Sequence, residues 1–184
     1  MHYSATPESD YELKPEHFLL ADTGGNYYEG TTDLTRTVAL GPVSDELKTH
    51  FTAVARGMMN LARARFLYGC RGVNLDILAR EPMWSLNIDY KCGTRTWSRL
   101  PSKHSRRTCF FPLAISLQPA TSSARGGMVI TDEPGIYIED SHGIRLENEL
   151  VVRKGEKNEF GHSWDWKMLQ SFRFVLDAIG RKTE

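Results

Sequence analysis

Four carboxylates in this chain stand where strand-forming sequence is otherwise apolar or made of small residues. Asp22 closes HFLLAD, Asp33 opens DLTRTVALG, Glu133 follows MVITD, and Glu147 lies within GIRLENELVV. A carboxylate taken out of water without a partner is costly, so each needs a cation, an arginine or a hydrogen-bond network. Singly, each reads first as a turn acid or a solvated strand edge. Together they point to a site where several carboxylates share divalent metal. Oxygen-rich ligand sets suit Mn²⁺, with Zn²⁺ and Co²⁺ also admitted. Two ions side by side lower the pKa of a bridging water and polarise a carbonyl oxygen, which amide hydrolysis requires.

The rest of the pattern supplies a scaffold for such a site. Residues 1–16 are polar and read as a loop. HFLLAD reads as a buried strand, TGGNYYEGT as a turn and DLTRTVALG as a second strand, so Asp22 and Asp33 flank one hairpin connection. Ser44 is placed to cap a helix, with Asp45 and Glu46 in its first turn. Leu47, Phe51, Val54, Met58, Leu61 and Ala62 then recur at helical spacing, which predicts an amphipathic helix to about Leu67. A shorter helix is expected from Gly72 and Asn74 through LDILAREPMW, bent or ended near Pro82. GGMVITDEPGIYIED and GIRLENELVVRKG read as one strand pair around DSHG, and the tail HSWDWKMLQSFRFVLDAIGRKTE has helical content. His17 and His142 read as strand-start and turn residues rather than ligands.

Composition narrows the function class. The chain has 184 residues, 40% hydrophobic and 25% charged, which suits one soluble domain. Lys+Arg and Asp+Glu both number 23, so charge gives no reason to expect nucleic acid or an acidic membrane as partner. Cys70, Cys92 and Cys109 form no CxxC and no even set, favouring a reducing compartment. With no apolar N-terminal run and no apolar stretch of spanning length, the expectation is a cytoplasmic protein.

The motifs carry more than the spacing. DTGGNYYEGTTDLTRT, DEPGIYIED and GIRLENELVV resemble, nearly letter for letter, the Xaa-Pro aminopeptidases (aminopeptidase P) of the pita-bread metallopeptidase family. HYSATPE resembles the segment that places a substrate-contacting histidine, here His2. The likeness covers residues 2–94 and about 127–160. It implies an α/β (α+β) fold of the pita-bread, creatinase/aminopeptidase type: a curved, mainly antiparallel sheet backed by helices, in a fragment of the catalytic domain truncated at its N-terminus. It implies two divalent metal ions, most readily Mn²⁺, held by Asp22, Asp33, Glu133 and Glu147, with Asp33 and Glu147 bridging. Glu133 would also move a proton, and Arg145 would be a structural partner of the acids. The implied reaction is release of the N-terminal residue from peptides with proline second, through a metal-activated hydroxide. An Xaa-Pro dipeptidase (prolidase) is the nearest alternative, and a homodimer is open for the intact enzyme.

The family's fifth ligand is a histidine in CGTGHGVGYLLN, and here the chain departs after Thr94. With synonymous codons chosen to suit, deleting one base at Thr94 turns Thr94–Arg107 into TGHGVGYLLNIHEG. A one-base shift of His162–Arg173 gives FLGLENATIVP, close to the family's ending. Residues 95–125 and 162–184 therefore read as out-of-frame translation. A basic nucleic-acid-binding insert and an unconstrained loop are the rival readings. His104 has the wrong register and neighbours to stand in for the lost ligand. As written, the chain is expected to have little or no activity.

Overall fold

The structure, a computed structural model, describes residues 6–28, 30, 32–89 and 123–170. Strands β1 (Phe18–Thr23) and β2 (Leu34–Ala39) form the expected antiparallel hairpin. Asp22 faces Thr35 within this ladder, and Asp33 falls just past its last pair, Thr23–Leu34. β1 is half-buried rather than buried, because β2 is its only ladder partner among the described residues.

Helix α1 (Asp45–Ala62) begins where its cap is, with the Leu47 N–H donating to Ser44 Oγ at 3.3 Å. Phe51, Val54, Met58 and Leu61 are its inward stripe, each at most 1% exposed. The helix stops short of the expected Leu67. Phe66 and Leu67 instead form a short strand, β3 (Phe66–Leu67), opposite Trp164 and Ser163. The Phe66 ring packs against Trp166 with centroids 4.9 Å apart, so tertiary burial outweighs continuation of the helix. Helix α2 (Gly72–Trp84) starts with the Arg71 N–H donating to Asn74 Oδ1 at 3.0 Å and runs two residues past Pro82 before ending. The two helices meet closely at Gly57, where a Cβ would lie 2.3 Å from the Ala79 carbonyl oxygen.

The expected second strand pair is real but broken into two ladders. β4 (Val129–Asp132) pairs with the start of β7 (Asn148–Asn158), and β5 (Gly135–Ile138) pairs with β6 (His142–Arg145). At the break, Glu133 and Pro134 lie across from Leu146 and Glu147. Proline has no N–H to donate, and its carbonyl accepts the Leu146 N–H at 3.4 Å. The Glu147 N–H turns away to the Thr35 carbonyl of β2 at 3.2 Å. The interruption thus joins the first hairpin to the second, and it does so where the acids are.

The tail expected to be helical forms strand β8 (Gly161–Met168) as far as it is described, pairing with β7 and β3. Its alternation places Trp164 and Trp166 inward, and that period of two decides the geometry. One core cluster lies among Leu61, Phe66, Leu75, Ile130, Leu150 and Trp166; another lies among Phe51, Val54, Met58, Met83, Ile136 and Ile144. Every strand pairing among the described residues is antiparallel, and α1 packs against strands of both ladders. No helix among the described residues is long and apolar enough to cross a membrane.

Candidate metal centre

Three of the four acids converge. Asp22, Asp33 and Glu147 each offer a carboxylate oxygen, and these oxygens all lie within 4.8 Å of one another. Asp22 is exposed, Asp33 half-buried and Glu147 buried, so the group is open on one side and closed on the other. The hairpin brings the first two together, and the break between β6 and β7 delivers the third.

Glu147 is held from several directions. The Thr35 hydroxyl donates to its Oε2 at 2.7 Å, and Arg36 donates through Nη1 to its main-chain carbonyl. Its other oxygen, Oε1, is buried with no hydrogen-bond partner among the described residues. Burial first, and then the nearby charges of Glu133, Asp33 and Asp22, push its carboxyl up to about 8 against the hydrogen bond from Thr35. Burial and the charge of Asp22 also raise Asp33. Three converging carboxylates, with Asp33 and Glu147 raised above their ordinary range and one buried oxygen unpartnered among the described residues, are the donor set a hard divalent cation relieves. The residues present fit such an ion.

Glu133 stands beside this triad rather than in it. Its Oε1 accepts from the Thr131 hydroxyl at 2.9 Å, and its Oε2 lies 3.9 Å from Arg145 Nε. Burial is the main cause that raises its carboxyl to about 7. Arg145 is the structural partner expected: its guanidinium donates to Asp22 Oδ2, to Thr35 Oγ1 at 3.1 Å and to the Tyr137 hydroxyl at 3.1 Å. His2, His104 and most of the anomalous segment lie outside the described residues. His17 precedes β1 with φ of 60° and His142 opens β6; neither belongs to the carboxylate group.

Sequence reasoning passed over several groups that lie around these acids. Thr35 could have been found, because a period of two from Asp33 puts Thr35 and Thr37 on one face of β2. Gln170 could not: its Nε2 donates to the Asp33 carbonyl at 2.8 Å from a tail read as helical. Asp132 is fully buried, faces Asn148 across the β4–β7 ladder, and has no partner for either carboxylate oxygen among the described residues. Burial, then Glu133 and Glu147, hold its carboxyl well above the usual range.

The sequence profile of metallopeptidase family M24 matches residues 1–154. Aminopeptidase P1 of Arabidopsis thaliana is 41% identical over 160 residues, covering 85% of this chain and 24% of its own length. Aminopeptidase P1 of Lotus japonicus is 40% identical over 163 residues, covering 88% of this chain and again 24% of its own length. The crystal structure of X-prolyl aminopeptidase from Caenorhabditis elegans, described as a cytosolic enzyme with a di-nuclear active site, superposes with a TM-score of 0.82 at 28% identity, over 97% of this chain and 28% of that one. This chain therefore spans about a quarter of the length of the curated relatives it matches. The fold is the pita-bread arrangement expected from the motifs. On the profile match, the identities and the superposition together, the chain belongs to metallopeptidase family M24.

Proposed function

We propose that the chain is the metal-holding part of an aminopeptidase that removes the N-terminal residue from peptides with proline second. The observation that carries this is the convergence of Asp22, Asp33 and Glu147, with one buried carboxylate oxygen lacking any partner among the described residues. Those three residues, with Glu133 beside them, would hold two divalent ions, Mn²⁺ before Zn²⁺ or Co²⁺. When bound, the ions supply Lewis acidity that lowers the pKa of water and polarises the scissile carbonyl.

The chain's own residues do the rest. Glu133, with its carboxyl pushed to about 7, can take and return a proton at Oε2 while Thr131 holds Oε1. Arg145 fixes Asp22 and closes the cationic side of the cluster. His2 contacts the peptide. The names of the plant relatives and of the nematode structure support an aminopeptidase of this class, and the last supports a cytoplasmic setting. A homodimer of the intact enzyme belongs to the same reading.

Prolidase is the second reading. The prolidase of Pyrococcus horikoshii superposes with a TM-score of 0.71 at 23% identity, a likeness of fold alone. We further infer that residues 95–125 and 162–184 are out-of-frame, which removes the histidine ligand and leaves the chain nearly inactive as written. The buried indole N–H groups of Trp164 and Trp166, neither with an acceptor among the described residues, support that reading for the tail.

The test compares this chain with a frame-restored version carrying TGHGVGYLLNIHEG, each assayed with Mn²⁺ on an Xaa-Pro-Xaa tripeptide and an Xaa-Pro dipeptide. The expected result is turnover of the tripeptide by the restored chain alone. Cleavage confined to the dipeptide would favour prolidase. Equal activity of both chains would overturn the out-of-frame reading.

A further inference from the structure

We propose that Thr35 is a positioning residue of this centre, whose hydroxyl engages one oxygen of Glu147 and so reserves the other for a cation. The inference rests on the metal-centre reading above and deepens it. Thr35 is fully buried on β2, opposite Asp22 in the ladder. Arg145 Nε donates to its hydroxyl oxygen at 3.1 Å, and a guanidinium offers only donors. The single hydroxyl proton is therefore left for Glu147 Oε2, 2.7 Å away. The relay has one direction: arginine to threonine to carboxylate.

The same residue grips the Glu147 main chain. Its carbonyl accepts the Glu147 N–H at 3.2 Å and also Arg36 Nη1 at 2.9 Å, and that guanidinium reaches the Glu147 carbonyl as well. Two residues on, Thr37 Oγ1 accepts the Arg145 N–H at 3.1 Å and donates to the Arg145 carbonyl at 3.0 Å. One face of β2 therefore fixes both the arginine and the acid that flank the site. The Glu147 oxygen left over is Oε1, buried and unpartnered among the described residues. Without the hydroxyl, nothing in this network holds Oε2 in place, and neither carboxylate oxygen of Glu147 is fixed towards the site. A carboxylate free to rotate offers a cation a less preorganised ligand.

Thr35→Val removes the hydroxyl and keeps the shape, and Thr35→Ser restores the hydroxyl. Calorimetric titration of the whole chain with Mn²⁺ should show Thr35→Val binding about tenfold more weakly or worse, the usual effect of losing a group that orients a ligand. Thr35→Ser should return close to the parent affinity, which a space-filling role for the methyl would not produce. Should Thr35→Val fail to fold, Thr35→Ala, which also removes the hydroxyl, carries the same expectation. Parent-like affinity in a folded Val or Ala variant overturns the inference while leaving the metal centre intact. No Mn²⁺ uptake by the parent overturns the metal centre itself, and this inference with it.

Discussion

Replacing Glu147 by glutamine should stabilise the metal-free chain in alkaline solution and do nothing comparable in acid. Folding raises the Glu147 carboxyl from an ordinary 4.5 to about 8, chiefly because it is buried. A raised acid favours the folded state fully below its unfolded pKa, and that stability is lost as pH rises through the folded value. At pH 9 the ionised group then costs the fold an upper bound of about 5 kcal/mol, from some 3.5 units at roughly 1.4 kcal/mol each. Coupling to Glu133, Asp33 and Asp22 makes the true figure smaller, since those acids share the repulsion. The substituted amide keeps an acceptor for the Thr35 hydroxyl but puts an N–H where Oε1 has no partner among the described residues, at a cost of about 2 kcal/mol. The net expectation is a gain of about 2 kcal/mol at pH 9 and parity or a slight loss near pH 5. Urea unfolding at both pH values in a chelator measures it. A Glu147→Gln variant equally or less stable than the parent at pH 9 would refute the claim that the site buries uncompensated charge.

Other consequences are simpler. His50 Nδ1 and His142 Nε2 lie 2.8 Å apart, a contact that holds one proton but not two. Burial, then His50, lowers the His142 pKa, so this contribution to stability is present above about pH 6.5 and is lost as pH falls through the lowered folded value. His142→Gln should flatten the acid limb of a pH–stability curve by about 1 kcal/mol, and an unchanged limb would count against the pair. Phe66→Ala should cost about 3 kcal/mol in chemical denaturation, because the ring is 7% exposed and packs on Trp166. A loss under about 1 kcal/mol would mean that β3 is not docked as described.

Much of this architecture is readable from residues close together in the chain. Ser44 and the stripe from Phe51 to Leu61 announce α1, and the Gly-rich turn between Asp22 and Asp33 announces the first hairpin. What is not readable depends on distant partners. Nothing local shows that Phe66 will leave a helix to pack on Trp166, or that His50 will meet His142. The tail misleads because its first residues alternate only briefly, while their strand character comes from β7 and β3 on either side. The break at Pro134 is visible as a proline, but not its consequence, which is that the Glu147 N–H turns to Thr35. The four acids stand out by their company, yet only three meet closely, because Thr131 holds one oxygen of Glu133 and Arg145 lies beside the other.

Whether carboxylates from two hairpins cage a divalent metal is open to direct observation. Crystals soaked in Mn²⁺ and measured at the manganese absorption edge should show an anomalous peak bounded by the carboxylate oxygens of Asp22, Asp33 and Glu147, absent in Asp33→Asn. A map with no peak among those three, or one unchanged by that substitution, would contradict the cage.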